Sequence, residues 1–197
     1  RLSRRLVKNA PQAAIPGVPE KDVLKLEALN PVFLSTPGLA LNACYDVLME
    51  MFNLARKNIS RAFDVLRQYD EALVAAIRTD EEAIDQMADR VSNYLIQVSA
   101  HITAESHVEI VNHYYAAISD FERLGDHAMN IAYVARELDE KKLRFSPIGQ
   151  RDLDLLLRAV RQVIDLSFGA FRDNDANGNG DPSDEVPMDF NGWFGGA

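Results

Sequence analysis

Apolar residues recur every three or four positions through most of this chain, and nowhere do they alternate. That pattern commits the chain to long amphipathic helices. Spacing of 3–4 lays one apolar stripe along one helical face, whereas a half-buried strand would alternate. Four stretches carry it. The first, about 37–69, follows STPG, where Ser35 or Thr36 can cap a helix and Pro37 suits its first turn. Ala40, Cys44, Val47, Met51, Leu54, Ile59, Phe63 and Leu66 form its stripe. The second, about 71–100, carries Leu73, Ile77, Ile84, Met87, Val91, Leu95 and Val98, and HITAESH after it reads as a turn. The third, about 105–139, carries Val111, Tyr114, Ile118, Phe121, Gly125, Ala128 and Ala132. Beyond the break at KKLRFSPIG, the run DLDLLLRAVRQVIDLSF marks a fourth helix, about 148–171. The expected fold is all-α, an antiparallel bundle of about four long helices with short connections.

The flanks differ in character. Residues 1–36 read as a lead-in, first basic (RLSRRLVKN), then Pro-rich and extended (APQAAIPGVPE). Residues 172–197 are rich in Gly, Asp, Asn and Pro and read as an irregular tail, which leaves 37–171 for the bundle. With 197 residues, 47% of them hydrophobic, the chain has material for one domain with a sizeable core. A formal net charge of −9 argues against nucleic acid as a partner. The single cysteine, Cys44, permits no internal disulfide, fits a reducing compartment and reads as a small buried residue. No apolar run approaches the roughly 18 residues of a membrane span.

Within the third helix, ISDFERLGDHAMNIA places Glu122 and Asp126 one turn apart. With Ile118 as the zero direction they fall at about +40° and +80°, along one edge of the apolar stripe. Asp120 and His127, at about 200° and 180°, point to the far, solvent side. On the second helix, with Ile84 as zero, Glu81 and Asp85 fall at about +60° and +100°, and Asp89 further round at about +140°. The spacing and the flank are the same on both helices. If the two form a hairpin turning in the middle of HITAESH, Glu81 stands level with Asp126 and Asp85 with Glu122. Four carboxylates brought together repel one another unless a cation joins them, and hard oxygen ligands suit Mg²⁺, Ca²⁺, Mn²⁺ or iron. The other reading is a solvated charged face, with Arg123, Arg56 or Arg61 as salt-bridge partners.

The stretch DFERLGDHAMNIA resembles the signature of the PhoU family of phosphate-regulatory helical bundles, and TDEEAIDQM resembles its partner on the preceding helix. The resemblance covers about 38–139 and is most specific around 118–132. It implies Glu/Asp-x-x-x-Asp motifs on adjacent helices binding divalent or trivalent metal ions, iron, zinc, magnesium or manganese. Here the matching residues are Glu81 and Asp85, then Glu122 and Asp126, with Asp89 a further candidate. LNPVFLSTPGLAL resembles the lead-in to the PhoU-like domain at the cytosolic C-terminus of bacterial sodium–phosphate cotransporters. On that resemblance RLSRRLVKN leaves a last membrane helix, its positive charge placed as the positive-inside rule expects. The partner would then be a transmembrane phosphate-transport domain of the same polypeptide, on the cytoplasmic side of the inner membrane; a homo-oligomer is also compatible. Full PhoU proteins repeat the bundle and its motifs, which occur once here, and relatives pair the fourth helix with a further one.

The resemblance implies a non-catalytic, regulatory role in phosphate transport. A free-standing PhoU-like regulator of a phosphate ABC transporter or sensor kinase is the first alternative, and a metal-dependent phosphohydrolase or redox enzyme on a carboxylate cluster is the second. The sequence offers no Gly-rich phosphate loop and no nucleophile–base arrangement. His101, His107, His113 and His127 are scattered and complete no Glu-x-x-His pattern. In DNDANGNGDPSDE, residues Asp173, Asp175, Asn177, Asp181 and Asp184 fall near the ligand positions of a calcium-binding loop, but Pro182 and Pro187 spoil an exiting helix.

Overall fold

The structure, a computed structural model, describes residues 26–175. Four long helices follow a short 3₁₀ turn at Pro31–Ser35: α1 (Pro37–Arg67), α2 (Glu71–Ser99), α3 (Glu105–Glu140) and α4 (Pro147–Asp175). The expected elements are present, with ends moved by a few residues. Thr36 occupies the cap position of α1 but makes no side-chain capping bond, so Pro37 in the first turn carries the start. Asp70 caps α2 by accepting from the Ala72 amide at 2.8 Å. At the start of α4, Ser146 Oγ accepts from the Gly149 amide at 3.1 Å. The fourth helix continues past Phe171 to Asp175, so the irregular tail begins later than the composition suggests.

The first three helices close around one core. Leu48, Met51 and Phe52 of α1, Ile77, Ile84, Met87 and Leu95 of α2, and Phe121 of α3 are all buried there. All but Leu48 and Phe52 are members of the stripes read from the sequence, now facing one another. Glu50, Asp80 and Ser167 are buried polar residues, and Asn58 is the most deeply buried among them; its Nδ2 donates to the Ile77 carbonyl at 2.9 Å, pinning α1 to α2. Residues read as lead-in also join the bundle. Leu26 is buried in the core, and the Tyr94 hydroxyl donates to the Asn30 carbonyl at 2.8 Å.

The fourth helix runs antiparallel to α1 and is held to it by charge and by aromatic rings. Arg67 donates to Asp154 at 2.5 Å and Arg56 to Asp165 at 3.0 Å, while the Tyr45 hydroxyl donates to the Arg172 carbonyl at 3.0 Å. Phe168 and Phe171 stand edge-on to Phe52, which stacks on Phe121 at 4.5 Å. Among the described residues, no helix is long and apolar enough to cross a membrane.

Candidate metal centre on the face between α2 and α3

The register of α2 against α3 decides whether the four carboxylates meet. Two observations fix it. The Tyr115 hydroxyl of α3 donates to the Ser92 carbonyl of α2 at 3.4 Å. Two turns or more along, a Cβ built on Gly125 would lie 3.5 Å from Ile84 Cδ1 and 3.8 Å from Glu81 Cγ. Glu81 therefore sits beside the backbone one residue before Asp126, at the level that the hairpin symmetry predicts.

Electrostatics reports the same neighbourhood. Burial raises the Glu81 carboxyl above its ordinary value, Asp85 and Asp126 raise it further, and Arg78 pulls it down to a smaller extent. Burial also raises Asp85, with Asp126 and Asp89 adding to the effect. Glu122 is raised by burial and then by Asp85, Asp89 and Asp126. Each expected pair is thus close enough to interact, and Asp89 belongs to the same group. Glu82, not singled out from the sequence, also bears on Glu81 and Asp85. Its position one residue after Glu81 was the available signal.

No hydrogen bond or ion pair joins Glu81, Asp85, Asp89, Glu122 or Asp126 to a described cation. Two of the arginines proposed as salt-bridge partners are engaged elsewhere. Arg56 holds Asp165, and Arg61 holds Asp80 with a contribution from Lys57. Arg123 lies on another side of α3, beside Asp120, whose carboxyl is raised by burial with Arg123 offsetting part of the effect. Glu81 and Glu122 are half-buried beside the core stripe, while Asp85, Asp89 and Asp126 are exposed. This gradient follows their angles around the two helices.

The residue types suit a hard cation: carboxylates on two adjacent helices, offset only in part by Arg78 beside Glu81. Among the described residues, no three His, Cys, Asp or Glu side chains come together closely enough to hold one ion. Binding would therefore require carboxylates on the exposed flank to swing inward, a rotamer change at helix positions whose register is already set. Cys44 is fully buried and its thiol is pushed up to about 12, so it stays protonated and supplies no thiolate ligand. His101, His113 and His127 are exposed and His107 half-buried. Of the calcium-like set, Asp173 and Asp175 end α4, while Asn177, Asp181 and Asp184 lie outside the described residues. The basic segment 1–9 also lies outside them.

One expectation is corrected. Asp120 is half-buried rather than on a solvent side, because α4 lies against that edge of α3. Together with Arg123, His127 and Ser167 it lines a pocket backed by Phe52, Phe121 and Ile164.

The fold and the face define an all-helical domain with an acidic motif on each of two adjacent helices. Residues 48–135 are similar to the PhoU domain, a match that runs from α1 through α2 and most of α3. A phosphate-specific transport system accessory protein PhoU homolog from Clostridium acetobutylicum is 30% identical over 105 residues, covering 52% of this chain and 48% of the relative. Proteins of the same name from Pseudomonas putida and Pseudomonas aeruginosa are 28% and 25% identical over 131 residues, covering 66% of this chain and 50% and 53% of the relatives. The chain spans about half the length of these relatives. No solved structure matches it significantly.

Proposed function

We propose that this chain is a PhoU-type regulator of phosphate transport whose α2–α3 carboxylates hold a metal ion or cluster. The observation that carries this reading is a set of mutually repelling carboxylates on adjacent helices, within the stretch that matches the PhoU domain. Glu81, Asp85, Glu122 and Asp126 would hold the metal, with Asp89 at the edge. The ion would supply positive charge that neutralises the repulsion and ties α2 to α3. The chain's own residues set the helix register, shield one side of the carboxylates with the core stripe and keep Arg56 and Arg61 engaged elsewhere. The regulatory rather than catalytic role is read from the printed names of the relatives, accessory proteins of a phosphate-specific transport system.

The relatives' printed names point to an accessory of a phosphate-specific transport system. That setting is better supported than attachment to a sodium–phosphate cotransporter, which rests on the resemblance of LNPVFLSTPGLAL alone. In either setting the domain would act on the cytoplasmic side of the membrane. The test is to express the chain in a bacterium lacking its own PhoU accessory protein and to follow its phosphate-starvation response. Restored repression by the wild type, and none by a variant carrying Asp85→Asn and Asp126→Asn, is expected. Restoration by both would remove the metal site from the function, and restoration by neither would remove the accessory role.

A further inference from the structure

The fourth helix is apolar on two opposite sides. With Leu155 as the zero direction, Leu157, Ile164 and Phe171 fall at about 160–200°, and all three are buried against the bundle. Ile148, Ala159, Leu166 and Ala170 fall with Leu155 between about 0° and +60°, on the side that faces away. Ile148 is 71% exposed, Leu155 62% and Leu166 57%, and both alanines are exposed as well. Asp152 and Gln162 are the polar members of this line. Scattered exposed leucines are ordinary on a surface. A line at i+4 and i+7 spacing, running roughly 33 Å along the helix, is the face a helix turns to a partner. Its two flanks differ. At about +80° to +100°, Val163 and Leu156 extend the apolar surface toward α3. There Ala159, Val160 and Val163 of α4, with Ile131 and Val134 of α3, border an open groove of about 630 Å³. At about −60° to −80° the flank is charged, with Arg158 exposed and Asp165 exposed although one of its oxygens accepts from Arg56.

We propose that this face of α4 binds the same face of a second copy of the chain, the two helices antiparallel about a two-fold axis that passes between Val160 and Arg161. The face is self-complementary in that arrangement, and each contact occurs twice. Leu155 stands level with Leu166 of the second copy, and Ala159 with Gln162 of the second copy. Leucines therefore meet at both ends, and a small residue near the centre lets the backbones approach. An axis across the helices also brings like flanks together. Leu156 then meets Val163 of the second copy and covers the open groove beside it, while Arg158 meets Asp165 of the second copy with opposite charge. A parallel pair would instead set the charged flank against the apolar one. Arg151 and Arg172 come level at the two ends, and their like charge confines the contact to the middle of the helices. A seam from Leu155 to Leu166 is roughly 17 Å long, at the low end of interface sizes, so the dimer is a weak one.

Sedimentation of the full chain over a wide range of protein concentration tests this. The weight-average mass should rise with concentration from that of one copy toward that of two. Leu155→Lys with Leu166→Lys should hold the protein at one copy throughout. Both leucines are exposed, so the far-ultraviolet circular dichroism of that variant should match the wild type. Cross-linking reads the orientation. When Leu155→Cys and Leu166→Cys chains are mixed and treated with a short bis-maleimide, the product should join one chain of each kind. Cys44 is buried and takes no part. A wild type that stays at one copy at every concentration would overturn the proposal and leave the face to a different protein. A dimer that survives the lysine pair would overturn it by placing the contact elsewhere. Products that join like with like would overturn the antiparallel arrangement.

Discussion

The two flanks of α3 present opposite solutions to the same problem of covering a helix. Toward α2 the backbones are close, Gly125 sits against Ile84 and Glu81, and the rim carries a group of mutually repelling acids with Arg78 offsetting only part of their charge. Toward α4 the charges are matched, Arg67 with Asp154 and Arg56 with Asp165 along α1, while a wide apolar groove stays open. The first flank has settled packing and unsettled charge; the second has settled charge and unsettled packing. The PhoU match follows this division, since it ends at Ala135 and excludes α4.

The comparison breaks most easily in the core beneath both flanks. Phe121 is buried and stacks on Phe52, so Phe121→Ala should cost about 3–5 kcal/mol in urea denaturation, the usual range for a lost core aromatic. If α4 is the looser element, its amides should exchange with deuterium through a partial opening well below the global free energy, while those of α2 exchange only on global unfolding. Equal protection of α2 and α4 would erase the contrast.

Metal should act on the acidic flank alone. At a free metal concentration of one hundred times Kd, linkage predicts stabilisation of about 2.7 kcal/mol, seen as a raised melting temperature. Asp85→Asn with Asp126→Asn should remove that response and leave α4 protection unchanged. A response that survives the double variant would place the metal elsewhere.

The chelated protein offers a finer test through pH. Glu81, Asp85 and Glu122 have folded pKa values raised above the unfolded ones, so the native state binds more protons than the unfolded chain in that window. Their stabilising contribution is full below the ordinary carboxylate range, about pH 4, and is lost as pH rises through the raised values. The Asn double variant should therefore be the more stable protein at neutral pH in chelator, with the gap closing on acidification. With metal bound, the trend for the wild type should invert, because protons compete with the ion for the same oxygens. Denaturation curves across pH, with and without chelator, read both signs.

The smallest effect expected is at Gly125. A methyl group there would make ordinary van der Waals contact with Ile84 and Glu81, and alanine favours helix over glycine by up to about 1 kcal/mol. Gly125→Ala should therefore be neutral to slightly stabilising in thermal melts. A loss would show that α2 and α3 approach more tightly than the open Cβ position implies.

By itself the sequence determined the helices and the hairpin register. Periodicity fixes the angle of each residue about its own axis, and a short turn between two helices fixes which residues share a level. That is why the levels of Glu81 and Asp126 along the hairpin could be expected from spacing, and why Glu81 and Glu122 are more buried than Asp85 and Asp126. What an angle cannot say is which neighbour stands opposite it. Only the tertiary structure decided that α4 lies along the edge of α3 that holds Asp120, that Arg56 and Arg61 turn to Asp165 and Asp80, and that Asn58 is buried against the Ile77 carbonyl. Those outcomes depend on how whole faces and their charges fit across helices distant in sequence, a matter of packing between elements that no single helix encodes.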